Sequence, residues 1–309
     1  MGSNPLVSVI IPCFNVSSFV KKAVSSILEQ TYANLEVIIV DDASTDETLD
    51  IIRNINDTRL RVVELKENSK KIGAVNTALQ LVTGEFVAFQ DADDWSEPNR
   101  IEQQVKIFHQ LPDLGICFTN YRYNYKNSLV PNRIALTNEE LKDEFLHFGS
   151  RKLTYLAPTM CATMMITKHV LRETGGYHPY FAGRVAEDIH WVYRILKVYR
   201  GIGIDKPLYN INIRSESLTQ LQYTGENAKA AYSWQLLSKI IEKDLKYNID
   251  VLDSSNCTIL KKLELEACEE ALVESLKGLQ KIKKNYEDSF TYKLGKFLLI
   301  PIRLFKRAS

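Results

Sequence analysis

Residues 35–47 read Leu35-Glu36-Val37-Ile38-Ile39-Val40-Asp41-Asp42-Ala43-Ser44-Thr45-Asp46-Glu47. The continuous apolar run from Leu35 to Val40 has the form of a strand covered on both faces. Ser44-Thr45-Asp46-Glu47 matches a capping box opening the next helix, and two acids stand between strand and helix. The unit has a counterpart upstream. Leu6 to Ile11 is a short apolar, β-branched run, and Ser17 or Ser18 can cap a helix with Val20, Val24, Ile27 and Leu28 on one face. Downstream, Arg59 to Leu65 reads as a third strand, Ile72 to Val82 as a helix, Glu85 to Phe89 as a fourth strand and Leu114 to Thr119 as a fifth. Strands alternating with helical crossovers predict an α/β fold, a mostly parallel sheet with helices on both faces.

Beyond Thr119 the pattern loosens. The polar, tyrosine-rich stretch from Asn120 to Asn138 reads as loops and edge structure. From about Glu226 two helical patterns appear, one carrying Trp234, Leu237 and Ile241, the other Leu260, Leu263, Ala267, Ala271 and Leu279. A chain of 309 residues accommodates two domains, or one large α/β domain with an appendage. Apolar residues at 45% and charged residues at 25% are ordinary for a globular chain. A net charge of +1 gives no global field toward nucleic acid, so no nucleic-acid partner is expected. The cysteines number 5 and show no CxxC spacing, which argues against a disulfide framework or structural zinc and fits a reducing cytosol. No secretory leader is expected from Met1 to Pro5, and the apolar run Phe297 to Ile302, broken by Pro301, falls far short of the ~20 residues of a membrane span.

In an open parallel sheet, ligands bind outside the carboxyl ends of the strands. The first strand here runs into Pro12-Cys13-Phe14-Asn15, the second into Asp41-Asp42 and the fourth into Asp91-Ala92-Asp93-Asp94. Carboxylates at close range raise one another's pKa, so such an edge calls for a cation or hydrogen-bond donors. Mg²⁺ or Mn²⁺, held by one or two carboxylates and substrate phosphates, suits an Asp-X-Asp element better than an all-protein calcium cage. Singly, an Asp after a strand serves equally well as turn residue or helix cap. The combination is what carries information. Pro12 to Ser18 contains no glycine, which disfavours a dinucleotide-dependent dehydrogenase or a sugar nucleotidyltransferase.

Five motifs in order, Val7 to Asn15, Ile27-Leu28-Glu29-Gln30-Thr31-Tyr32, Val40 to Asp46, Gly84-Glu85-Phe86 and Asp91 to Asp94, resemble the family 2 glycosyltransferases over roughly residues 5 to 215. The resemblance implies the glycosyltransferase A fold, a nucleotide-sugar donor, most often a UDP-sugar, Mn²⁺ or Mg²⁺, and inversion at the anomeric carbon. By it, Pro12, Phe14 and Asn15 match the donor-site turn, with Phe14 against the base, and Asp42 matches the acid that reads the base. Gly73 and Asn76 match a glycine and an asparagine of the nucleotide-sugar site, while Val75 stands where arginine is frequent. Asp91 is implied toward the ribose and metal, and Asp93 toward the metal.

Gly175-Gly176-Tyr177, Glu187-Asp188 and Trp191 resemble the family's acceptor-side segment, with Asp188 as general base. Apart from the resemblance, Glu187-Asp188 can equally cap the helix carrying Trp191, Ile195 and Leu196. Tyr209 to Thr219 resembles the segment that closes over the donor diphosphate. Arg214 stands there where many relatives carry histidine, and a guanidinium clamps phosphate but cannot ligate metal.

Lys293, Lys296, Arg303, Lys306 and Arg307 lie among bulky apolar residues in a tail without acids, a pattern for an interfacial helix on an anionic membrane or for a helix docked on protein. The sequence thus predicts a catalytic domain over 5–220 (nucleotide-binding half 5–119, acceptor half 120–220), a helical extension over 221–288 and a basic amphipathic tail over 289–309. The activity expected is transfer from a nucleotide sugar to a glycan or lipid-linked acceptor in surface-polysaccharide synthesis, in the cytoplasm or on the inner face of the plasma membrane. A catalytically inactive nucleotide-sugar-binding or glycan-binding scaffold is the alternative from another class.

Overall fold

Strands β1 (Val7–Cys13), β2 (Leu35–Asp41), β3 (Leu60–Glu64) and β4 (Phe86–Phe89) lie parallel in the order β3-β2-β1-β4. This is a computed structural model, and it describes residues 4–123, 128–129, 161–184, 186–212 and 228–288. Helices α1 (Val20–Leu28), α2 (Thr48–Arg53) and α3 (Lys70–Leu79) form the crossovers between those strands. Their order places the carboxyl ends of β2, β1 and β4 side by side.

The rest of the sheet is mixed. Strand β5 (Trp95–Ser96) and helix α4 (Arg100–Gln110) lead to β6 (Leu114–Tyr123), which pairs antiparallel with β7 (Ser128–Leu129). The short β8 (Met165–Thr167) lies antiparallel between β4 and β6, and β9 (Arg200–Ile211) runs parallel to β6 and antiparallel to β5. Helix α5 (Lys168–Thr174) leads toward α6 (Glu187–Val198), followed after β9 by α7 (Ala228–Tyr247) and α8 (Cys257–Asp288).

Alternation along the strands explains why both faces are covered. Val7, Val9 and Ile11 of β1 share a buried core with Val37 and Ile39 of β2, Val24 and Ile27 of α1 and Ile101 of α4. Ile10, Ile38 and Val40 point the other way, into a core shared with Val75 and Ala78 of α3 and Trp191, Ile195 and Leu196 of α6. Leu237 and Ile241 of α7 and Leu263 and Ala267 of α8 join that second core, so the C-terminal helices lie against the helix that carries Glu187 and Asp188.

Four local expectations are corrected. Asn120 to Tyr123 continue strand β6: Asn120 and Tyr121 are buried where they pair with β9, and Arg122 and Tyr123 pair with β7 as well. Ser17 and Ser18 do not cap α1; the Ser17 N–H donates to Asp46 Oδ2 and the Val16 N–H to Thr48 Oγ1, so the turn is tied to the neighbouring loop instead. Ser44 does not close a capping box: Asp46 Oδ1 accepts from Thr48 N–H, and Ser44 Oγ accepts from Asn15 N–H. Leu279 is exposed, on the side of α8 away from the core.

Candidate active site

The loops after β1 and β2 are joined by a reciprocal pair of bonds. Asn15 N–H donates to Ser44 Oγ at 3.0 Å, and Thr45 N–H donates to Asn15 Oδ1 at 2.8 Å. Asn15 adopts the left-handed region with φ 49°, which its short polar side chain tolerates better than most. Asn15 therefore shapes the turn, and Phe14 beside it stands 46% exposed at the end of β1 with its ring open to a flat ligand. Pro12 lies within β1 opposite Val40.

Asp42 is buried, and its Oδ1 accepts from both the N–H and the hydroxyl of Ser69, each at 2.7 Å. Gly73 is what makes room for that serine, because a Cβ at Gly73 would lie 2.2 Å from Ser69 Oγ. Asn76 is turned the other way. Its Nδ2 donates to the Tyr177 carbonyl at 2.8 Å and its Oδ1 accepts from the Tyr177 N–H at 2.9 Å. A Cβ at Gly176 would come within 2.4 Å of Asn76 Oδ1, so Gly176 permits this close approach. Asn76 thus fastens Gly175-Gly176-Tyr177 to α3.

Asp91, Asp93 and Asp94 gather just past β4, each offering an oxygen within 4.8 Å of the others. Tyr209 of β9 sits behind them, its hydroxyl accepting from the Asp91 N–H at 3.0 Å, and Asp94 Oδ1 accepts from the Asn212 N–H at 2.8 Å. Burial and the charges of Asp93 and Asp91 push the Asp94 carboxyl well up, against hydrogen bonds from Asn212 and Tyr209. Asp41 does not join the cluster; its Oδ2 accepts from Ser44 N–H, so the acidic edge divides into separate sites. An all-oxygen set of three carboxylates fits a hard divalent cation. Trp95 shares a cleft with Asp93 and Asp94, lined also by Ser18, Phe19 and Asn212, and Lys22 Nζ lies 2.9 Å from its ring centroid.

Lys71 connects this cluster to the second acidic pair. Its Nζ lies 3.0 Å from Asp91 Oδ1. Although burial works to lower it, the charges of Asp91, Asp188 and Glu187 drive the Lys71 pKa upward, so it stays cationic. Burial pushes Asp188 up, Lys71 and the Ile189 N–H oppose this, and Asp91 adds to it. Burial and then the Asp188 charge raise Glu187 to about 7. The two acids begin α6 behind Ala186, which has φ 78°. Trp191, fully buried, fixes that helix: its ring meets Phe89 and Tyr177 edge-on, and Nε1–H donates to Thr174 Oγ1.

Phe14, Asp42, Asp91 and Asp93 therefore stand at the ends of three adjacent strands, and Asp188 faces them electrostatically through Lys71. Arg214 and the basic tail 289–309 lie outside the described residues. Lys71 and Ser69 escape sequence reasoning as site residues, while Asp94 and Tyr209 enter it only as members of the Asp91–Asp94 and Tyr209–Thr219 segments, without roles of their own. Lys71 sits two places before Gly73, a weak signal.

The family model for Glycosyl transferase family 2 matches residues 8–174. The chain is 33% identical over 223 residues to a putative teichuronic acid biosynthesis glycosyltransferase, TuaG, of Bacillus subtilis, covering 70% of this chain and 82% of that one. Its fold is similar to that of Staphylococcus aureus TarS 1-349 in complex with UDP-GlcNAc, with TM-score 0.59, 16% identity and 91% of each chain covered. It is also similar to a mannosyltransferase of Pyrobaculum calidifontis in complex with GDP-Man and Mn²⁺, with TM-score 0.56 and 20% identity over 94% of this chain and 82% of that one. Among the described residues no helix is long and apolar enough to cross a membrane. By the extent of the family match and the likeness to TuaG, the chain belongs to glycosyl transferase family 2 and is a nucleotide-sugar glycosyltransferase with the glycosyltransferase A fold.

Proposed function

We propose that the chain transfers a sugar from a UDP-sugar to a hydroxyl of a glycan or lipid-linked acceptor, with inversion and with Mn²⁺ or Mg²⁺, in the synthesis of a surface polysaccharide. The observation that carries this reading is the facing of two acidic sets across Lys71, Asp91-Asp93-Asp94 on one side and Glu187-Asp188 on the other. One set suits a metal-bound diphosphate and the other a proton acceptor. The relatives support the chemistry by likeness: TarS binds UDP-GlcNAc, the mannosyltransferase binds GDP-Man with Mn²⁺, and TuaG is named for teichuronic acid biosynthesis.

In this scheme Phe14 stacks on the base, Asp42 accepts from its N–H, and Asp91 receives the ribose. Asp93, with Asp91 and Asp94 beside it, would hold the divalent ion, which as a Lewis acid offsets charge developing on the leaving diphosphate. Asp188 takes the acceptor proton as the acceptor oxygen bonds to the anomeric carbon. The bond from that carbon to the phosphate oxygen breaks on the opposite side, and its electron pair leaves with the diphosphate. Proton removal by such a base contributes about 10²- to 10⁴-fold in rate. Residues 5–220 form the catalytic unit in this reading, 221–288 a helical support, and 289–309 the attachment to an anionic membrane.

Hydrolysis of a panel of nucleotide sugars, with and without Mn²⁺, tests the proposal. A UDP-sugar should be hydrolysed faster than its GDP counterpart, and only with the metal. Metal-independent turnover, or preference for a GDP-sugar, would overturn the corresponding part of the scheme.

A further inference from the structure

Helix α8 has two opposite apolar faces, and among the described residues only one is covered. Leu263, Ala267 and Ala271 are buried, the first two in the core shared with α7. On the other side, Leu265, Leu272, Leu276 and Leu279 fall within about 40° of a single line at roughly 100° per residue. These four leucines are 50–62% exposed, and Cys268 on the same side is exposed as well. A stripe so placed joins none of the cores formed by the described residues, and its spacing of seven, four and three residues is that of a coiled-coil seam.

Charge along the helix identifies the occupant. Both halves carry both signs, Lys261 and Lys262 with Glu264, Glu266, Glu269 and Glu270 in the first and Glu274, Glu287 and Asp288 with Lys277, Lys281, Lys283 and Lys284 in the second. What matters is which charges border the stripe: at roughly 100° per residue Glu269 lies beside it and Lys283 in line with it. Glu266 and Glu270 are engaged by Lys239 of α7, whereas Glu269, Lys277, Lys283 and Lys284 are exposed. A parallel, in-register copy would set Glu269 on Glu269 and Lys283 on Lys283. An antiparallel copy, with its two-fold axis beside Leu276, sets Leu272 against Leu279 of the other copy and Glu269 beside the other copy's Lys283. A C₂ interface of this kind is self-complementary.

We propose that the exposed face of α8 is a homodimer interface in which two copies of this chain pair their α8 helices antiparallel through Leu272, Leu276 and Leu279.

Sedimentation velocity of the full chain over a micromolar concentration series should show a reversible monomer–dimer equilibrium. Leu272→Glu should weaken dimerisation at least roughly tenfold, with circular dichroism and UDP affinity unchanged to show that the monomer is folded. Glu269→Lys should also weaken it, and adding Lys283→Glu should restore it; within one helix these residues lie ~21 Å apart, too far to pair. Orientation is read separately in a Cys257→Ser background. Antiparallel pairing holds the two Cys268 residues ~22 Å apart along the axis, beyond disulfide reach, so mild oxidation should cross-link the dimer only when Lys283→Cys is also present. A chain that is monomeric throughout the series overturns the proposal, whether the stripe proves to be covered by residues 289–309 or by liposomes. So does a dimer indifferent to Leu272→Glu, or one that forms a Cys268–Cys268 disulfide without the added cysteine.

Discussion

Lys71 Nζ lies 3.0 Å from Asp91 Oδ1, which ties helix α3 to the loop after β4 at the place where the two acidic sets meet. The same ammonium opposes the rise of Asp188, so one side chain governs charge on both sides of the site. Replacing it should therefore change the pH dependence of transfer as well as its rate.

With Asp188 as base, transfer requires its carboxylate, so the rate falls as pH drops through the titration of the Glu187–Asp188 pair. That pair titrates as a unit, and Glu187 is raised to about 7 by burial and by the Asp188 charge. The acid limb of the kcat/KM profile is expected near there. Glu187→Gln removes a neighbouring negative charge and should move the limb to lower pH. Lys71→Met removes the opposing positive charge and should move it to higher pH. Profiles of both variants with a true acceptor check this; shifts in the same direction would dissociate the limb from this pair.

Asp188→Asn keeps the shape of the side chain and removes the proton acceptor. UDP affinity should stay within about twofold while transfer falls by about 10²- to 10⁴-fold. Calorimetry and single-turnover kinetics separate the two quantities. Near-parental transfer would leave Asp188 as a helix-initiating residue only.

Much of the fold was legible because β1 and β2 are covered on both faces and therefore read as unbroken apolar runs. The short antiparallel β8 was not: Met165-Ile166-Thr167 is a strand only because β4 and β6 lie on either side of it. The acids after β2 and β4 stood out by their place at strand ends. Their separation did not, because it depends on the Ser44 N–H reaching Asp41 Oδ2 and on the N–H and hydroxyl of Ser69 reaching Asp42 Oδ1, contacts made by two loops. Tyr209 reaches Asp91 from 118 residues away in the chain, and no local pattern announces such a contact. Leu279 differs: at roughly 100° per residue it falls with Leu272 and Leu276, across the helix from Leu263 and Ala267, so grouping it with the buried positions merged two separate apolar faces of α8.

Asp93→Asn should weaken UDP binding in Mn²⁺ by roughly tenfold or more, equivalent to ~1.4 kcal/mol, and should remove most of the metal dependence. Asp91, Asp93 and Asp94 crowd their oxygens within 4.8 Å. A diphosphate entering without a cation would meet uncompensated like charge. Titration calorimetry with and without Mn²⁺ decides the matter; an unchanged metal dependence would place the ion elsewhere.

Asn76 gives the sharpest contrast between a nucleotide contact and a structural tie. Both polar atoms of its amide are spent on the Tyr177 backbone, across 101 positions of sequence, and Gly176 packs directly on its Oδ1. Asn76→Ala leaves the Tyr177 N–H and carbonyl without these partners, which costs about 1–3 kcal/mol for a buried group left unsatisfied. Gly175-Gly176-Tyr177 precedes the acids of α6, and Tyr177 packs on Trp191 of that helix. The expected result is a lower Tm and a loss of kcat as Asp188 shifts, with UDP affinity changed by less than about threefold, or ~0.7 kcal/mol. Asn76→Asp should recover only the bond from the Tyr177 N–H and face the Tyr177 carbonyl with a second acceptor, so it should be nearly as destabilised as the alanine variant. Thermal denaturation alongside UDP calorimetry reads both quantities. A large loss of UDP affinity at unchanged Tm would instead place the amide on the nucleotide.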